Sequence, residues 1–209
     1  MTLEASGLSA SPSRRIPWPL FIAVAVASTG IVLVCLSQWG VTDQGWLHAS
    51  RYTARLAFLL FLAPFLASSL VYWWPTPATR WLRAKRRYLG LSFALAHGVH
   101  FIALVMFNIT IGETPDIVTI IGGGGAYLMI LLMALTSNDW SVRTLGPKAW
   151  GWLHWLGLYD IWFVFTFTYF GRFTQDQPQE PRIIYITLFA IALAALGLRI
   201  ATRLSKRRA

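Results

Sequence analysis

Charge is what this sequence has least of: Asp, Glu, Lys and Arg make up 12% of its 209 residues, while 56% are hydrophobic. Soluble domains carry roughly a quarter charged residues, so the composition is that of an integral membrane protein. No polar stretch is long enough for a separate soluble domain, which excludes a nicotinamide- or flavin-binding module within these residues. A single cysteine, Cys35, excludes an intrachain disulfide framework. Acidic residues are scarce too, 8 against 18 basic ones, for a net charge of +10. The cations follow membrane topology along the chain, so nucleic acid is not expected as a partner.

Apolar runs of about 20 residues, the length that crosses a bilayer as a helix, recur along the chain. They are Trp18 to Trp39, Tyr52 to Trp74, Tyr88 to Thr110, Ile117 to Thr136, Trp150 to Phe170 and Ile183 to Leu204. Short turns such as Pro75-Thr76-Pro77 and Gln177-Pro178-Gln179-Glu180-Pro181 separate them. The expected fold is an all-α membrane protein, a six-transmembrane-helix bundle spanning residues 17–204. A disordered segment (1–16) precedes it and a basic tail (205–209) follows.

Arg14, Arg15, Arg80, Arg83, Lys85, Arg86, Arg87, Arg143, Lys148, Arg203, Lys206, Arg207 and Arg208 lie at one set of run ends. Asp43, Glu113, Asp116, Asp176 and Glu180 lie at the other. Basic residues are retained on the cytoplasmic side, so both termini are expected to be cytoplasmic. Ser13-Arg14-Arg15 faintly resembles a twin-arginine export signal. The run behind it is too long for a signal peptide and lacks a cleavage site, so it reads as a first membrane helix. Gly122-Gly123-Gly124-Gly125 follows no strand and is not a phosphate loop; it reads as a frayed helix start or a point of close approach.

The chain has four histidines. His48 falls in the first outer loop, where an exposed imidazole needs no explanation. His97, His100 and His154 fall inside apolar runs, where a titratable side chain marks a functional site. His97 and His100 share adjoining parts of one helix face, roughly 13 and 18 Å from Tyr88. His154 follows Gly146-Pro147, a favoured helix start, by about 10 Å, and helix tilt brings it towards the level of His97. Gly151 and Gly157 flank His154, Gly90 and Ala94 flank His97, and Ala96 and Ala103 flank His100, leaving flat room such as a porphyrin needs. Three readings stay open: haem ligands, hydrogen-bonding glue between helices, and a proton or ion path. Arg51 and Arg55, one turn apart, are candidates for pairing with haem propionates or for snorkelling. Asp160, near the middle of the fifth run, is expected to be protonated or to face Arg55, a histidine or water, as a proton-handling group.

The string Arg86-Arg87-Tyr88-Leu89-Gly90-Leu91, with His100 ten residues after Gly90, resembles the third helix of the ferric reductase-like transmembrane domain family. Within that family it is most similar to the haem-binding membrane subunits of bacterial methionine sulfoxide reductase systems. Leu135-Thr136-Ser137-Asn138-Asp139, Leu145-Gly146-Pro147-Lys148-Ala149-Trp150 and Leu153-His154 share the resemblance, and Arg51 to Leu59 does so more weakly. The likeness implies a six-helix bundle of the bacterial inner membrane, holding haem b between its third and fifth helices and passing electrons across the membrane. It implies His100 and His154 as ligands. Where the family has a second fifth-helix histidine this chain has Phe167, and His97 is extra, so one haem is expected rather than two. With no nucleotide module, electrons would come from quinol or a separate cytoplasmic flavin reductase and leave to a periplasmic oxidoreductase. Membrane lipid and quinone complete the expected partners. The alternative is a non-redox bundle, a transporter or scaffold, with structural or proton-handling histidines.

Overall fold

The structure, a computed structural model, describes residues 16–176 and 180–208. The expected disorder of residues 1–15, the Arg14-Arg15 pair, Gln177-Pro178-Gln179 and Ala209 lie outside the described residues. Among those described there are seven helices and no strand: α1 (Trp18–Trp39), α2 (Asp43–Trp73), α3 (Pro77–Ala84), α4 (Arg86–Ile111), α5 (Ile117–Leu135), α6 (Asp139–Phe173) and α7 (Arg182–Arg208).

The boundaries have local causes. Gly40, at φ 73°, ends α1, and the Thr42 hydroxyl then caps α2 by accepting from the Gly45 amide at 3.3 Å. Helix α2 therefore begins at Asp43 rather than Tyr52. His48, expected in an exposed loop, instead sits in its first turns, stacked on Trp39 at 4.2 Å. Thr76 and Thr79 form a reciprocal capping box that starts α3, a short amphipathic helix in what reads from sequence as a loop. Gly112, in the left-handed region at φ 69°, terminates α4. Asp116 accepts from the Thr119 amide at 2.8 Å to cap α5, and that bond holds its carboxyl below the usual range. Asn138 caps α6 by accepting from the Ser141 amide at 2.8 Å. Gly146 (φ 77°) then breaks the helical backbone immediately before Pro147, as the sequence predicts for a helix restarting at that proline. Residues 205–208, expected as a tail, continue α7, where their cations face the negative end of the helix dipole.

Helices α1, α2, α4, α5 and α7 are long and apolar enough to cross a membrane. Helix α6 is not among them. Its bundle segment carries His154, Asp160, several glycines and indole rings, which dilute its apolar character. It nevertheless runs through the same bundle: Trp162 Nε1 donates to the Ala192 carbonyl of α7 at 2.8 Å, and Gly157 packs on Met133 of α5.

Helix α2 is the hub. Its Phe58, Phe61 and Phe65 are fully buried and meet Phe93 of α4 and Phe165 and Tyr169 of α6. Tryptophans and long aliphatics cover the outer faces, as expected of surfaces turned to lipid.

The four-glycine run of α5 is continuous helix, and a Cβ at any of its glycines would meet nothing within 4 Å, so neither fraying nor close approach occurs there. Close approach falls at Gly45, where a Cβ would lie 2.0 Å from the Gly40 carbonyl oxygen, a backbone atom that cannot step aside. Gly45→Ala is therefore expected to destabilise the protein by about 1–3 kcal/mol or more. Gly123→Ala is expected to be neutral or stabilising by about 0.5–1 kcal/mol. Thermal unfolding of the two variants in detergent, side by side, checks both.

Candidate functional site

At the basic end of the bundle, α2, α3, α4, α5, α6 and α7 line a cavity of about 590 Å³. One imidazole, that of His154, lines it. Gly90 and Ala94 of α4 and Gly151 of α6 give it smooth walls, and Phe61, Leu158 and Ile161 form an apolar inner end. Gly90 and Gly151 have nothing within 4 Å of where a Cβ would stand, so the flat room read from their spacing is present. Gly157 is different: a Cβ there would meet Met133 Sδ at 2.7 Å, so the space beside His154 opens on one side only. Four guanidinium groups share the wall, those of Arg83, Arg86, Arg87 and Arg199. Arg87 is paired with Asp139 at 2.6 Å.

The segment joining α5 to α6 holds His154 in place. Thr136 Oγ1 lies 3.2 Å from His154 Nε2 and donates its own proton to the Leu132 carbonyl at 2.7 Å. The network therefore makes Nε2 the donor and leaves the Nδ1 lone pair of the neutral ring. Trp150 packs against the ring at 4.1 Å with its plane tilted by 30°, and donates its indole N–H to the Thr136 carbonyl at 2.9 Å.

His97 and His100 form a separate pair on α4, ring centroids 5.1 Å apart. His97 is buried among Phe93 (5.3 Å), Tyr127 (4.8 Å) and Phe165 (5.7 Å). His100 Nδ1 meets Thr53 Oγ1 of α2 at 3.3 Å. Thr53 donates to the Ala49 carbonyl, so the imidazole is again the donor. His97 Nδ1 and the Tyr127 hydroxyl are buried with no hydrogen-bond partner among the described residues.

The three imidazoles fall at two levels. Phe165, which touches His97, lies eleven residues beyond His154 in α6, about 16 Å along the axis. Gly90, which shares the cavity wall with His154, lies seven residues before His97, about 10 Å. Helix tilt does not bring them level in this packing, and among the described residues no three His, Cys, Asp or Glu side chains gather as a ligand set.

The other candidates occupy the acidic end or the wall between. Arg55 is paired with Glu180, which also accepts from the Tyr185 hydroxyl, and its guanidinium lies over the Tyr52 ring at 5.1 Å. Arg51 stands one turn before it. Asp160 is half-buried, with one carboxylate oxygen, Oδ2, enclosed and without a hydrogen-bond partner among the described residues; Arg55, one partner expected for it, is engaged elsewhere. Phe167 faces outward, 59% exposed and stacked on Phe163.

Arg199 is the residue that sequence reasoning missed. It lies inside the last apolar run, donates from Nη1 to the Phe65 carbonyl and from Nε to the Tyr159 hydroxyl at 3.3 Å, and lies 4.3 Å from the Phe65 ring centroid. An arginine five residues inside an apolar run was itself a usable signal.

The chain is 30% identical over 126 residues to the haem-binding subunit MsrQ of a protein-methionine-sulfoxide reductase from Herminiimonas arsenicoxydans. The chain spans about half the length of that curated relative, 54% of it, and the match covers 54% of this chain. The identity supports a distant relationship between the two. No family model matches the chain, and no solved structure matches it.

The Arg55–Glu180 pair, with side chains 18% and 9% exposed, ties α2 to the start of α7. Glu180→Ala is expected to cost about 3–5 kcal/mol, because the guanidinium is left enclosed without its carboxylate. The double variant Arg55→Leu/Glu180→Leu is expected to cost less than the single one, which thermal unfolding of both proteins measures.

Proposed function

We propose that this chain is a haem-binding electron-transfer protein of the bacterial inner membrane, with six spans and both termini in the cytoplasm. The observation that carries the reading is the cavity: one imidazole, smooth glycine walls, an apolar inner end and a cluster of guanidinium groups at one bundle end. That donor set fits haem b, whose ring is flat and apolar, whose iron takes imidazole nitrogen, and whose propionates are anionic. His154 would ligate the iron, Gly90, Ala94 and Gly151 would leave room for the ring, and the arginines would meet the carboxylates. Bound there, haem supplies a centre that gains and loses one electron.

The protein's own contributions are orientation and partner recognition. Trp150 and Thr136 hold the His154 ring against rotation. The excess of cations at the cavity end supports the inward orientation, and gives a quinol or a separate flavin reductase an electropositive face at which to deliver electrons. The acidic opposite end suits a periplasmic oxidoreductase as acceptor. The relative's name, which says that protein binds haem, points the same way. The same cation-rich end also attracts anionic lipid.

A second reading rests on a different observation, the enclosed His97 Nδ1 and Tyr127 hydroxyl beside His100. Such a pair, separated from the cavity, suits a structural or proton-handling role, or iron ligation at a second level of the bundle.

Purified protein expressed with ample haem supply is expected to be red, with a Soret band that shifts on dithionite reduction. His154→Ala is expected to lose that band, while His97→Ala and His100→Ala keep it. A colourless wild-type protein overturns the reading; loss of the band in the α4 variants but not in His154→Ala moves the haem to the upper pair.

A further inference from the structure

We infer that Arg199 of α7 is a carboxylate receptor built into the cavity wall, and that it binds a propionate of the bound haem with Arg86 as its neighbour. The inference rests on the cavity being the haem site.

A guanidinium within an apolar run needs a reason to be there, because its charge is expensive to bury. Arg199 lies in the wall of the cavity, five residues inside the last apolar run. Among the described residues no carboxylate pairs with it. Its partners are a backbone carbonyl, a phenol and two ring faces, those of Phe65 at 4.3 Å and Tyr159 at 5.1 Å. These neutral groups orient the side chain and take up two of its five N–H donors, leaving the positive charge uncompensated. Arg86 lines the same cavity and likewise has no carboxylate partner among the described residues.

Two unpaired guanidinium groups in one largely apolar cavity repel each other unless an anion lies between them. A dicarboxylate ligand supplies that anion, and a planar fork is the geometry that binds a carboxylate through two parallel hydrogen bonds. Arg51 and Arg55, the propionate candidates from the sequence, both stand at the opposite end, and Arg55 is already matched by Glu180. Arg87 is matched by Asp139. Arg83 is exposed, so its charge is met by solvent. The enclosed, uncompensated charge is at Arg199 and Arg86, and these two would receive the propionates.

The test compares haem b with its dimethyl ester, in which both carboxylates are blocked, titrated into haem-free protein in detergent. Wild type is expected to bind haem b at least about tenfold more tightly than the ester, the effect of one charge-assisted contact of about 1.4 kcal/mol. Arg199→Gln is expected to bring that ratio close to one by weakening haem b, with ester affinity changing less than about twofold. Arg199→Lys is expected to restore part of the ratio. A merely structural Arg199 would weaken both ligands together. As a second readout, Arg199→Gln in the haem-loaded protein is expected to shift the reduction potential to more negative values, because a cation beside the oxidised centre has been removed. An unchanged ratio in Arg199→Gln, or no discrimination by wild type, overturns the inference while leaving the haem reading intact. Wild type that binds neither ligand overturns both.

Discussion

Aromatic packing between α2, α4 and α6 fixes how far these helices slide along one another, and the distribution of chemistry in the bundle depends on that register. Phe61 of α2 lies 5.5 Å from Phe93 and 5.9 Å from Phe165, while Phe93 and Phe165 lie 6.5 Å from each other. Three large rings at one level cannot exchange places with the smaller groups above and below them without opening a void. The same contact that forms the core therefore sets His97 beside Phe165 and leaves His154 to line the cavity that Gly90 and the cations share. Below the aromatic layer the helices present glycine and alanine, so the packing that is tight in the middle becomes open at the basic end.

The two ends of the bundle treat charge in opposite ways. At the acidic end Arg55 meets Glu180, and the Tyr185 hydroxyl completes the carboxylate's shell, so the ion pair closes that end as a clasp between α2 and α7. At the basic end Arg87 is paired with Asp139, while Arg86 and Arg199 line a cavity with no carboxylate partner among the described residues. Burying a charge is tolerated where it is paired, and an unpaired one inside an apolar segment is tolerated where something else supplies the counter-charge. The asymmetry separates a closed structural end from an open receptive one. It runs in the same direction as the basic excess that orients membrane proteins.

Much of the architecture was legible in the sequence because lipid imposes simple rules. Five of the six apolar runs are helices long and apolar enough to span, and the break at Gly146-Pro147 falls where the residues require it. The remaining run, the fifth, has a weaker apolar signature because it contains the polar residues His154 and Asp160. The motif around Thr136 and Asp139 was visible as a string. Its work was not: Thr136 orients His154, Asn138 caps α6 and Asp139 pairs with Arg87, each through a contact that folding creates. Levels within the bundle were out of reach for the same reason. Depths counted from Tyr88 and Pro147 assume that both helices start in one plane, whereas ring contacts between Phe93 and Phe165 decide the offset. Arg199 was overlooked although its position in an apolar run was in plain view, and its unpaired state could be seen only once α2 and α6 surrounded it.

One imidazole per cavity changes what the bundle can do on the haem reading. A centre gripped by histidines from both walls has no free coordination position, and its role is confined to passing electrons. In the cavity here α4 contributes Arg86, Arg87, Gly90, Leu91, Phe93 and Ala94, and none of these is an imidazole, thiolate or carboxylate that could ligate iron. The second imidazole source, His97 and His100, is held one level away by Phe93, Tyr127, Phe165 and the Thr53 hydroxyl. Bringing His97 to the cavity would require α4 to slide by about two turns against α2, and His100 by nearly three, breaking the aromatic layer that the fold is built on. The register therefore does more than shape the core. It decides how many protein ligands a centre in the cavity receives, and by leaving the α4 side bare it ties the affinity of the site to the arginines that flank it.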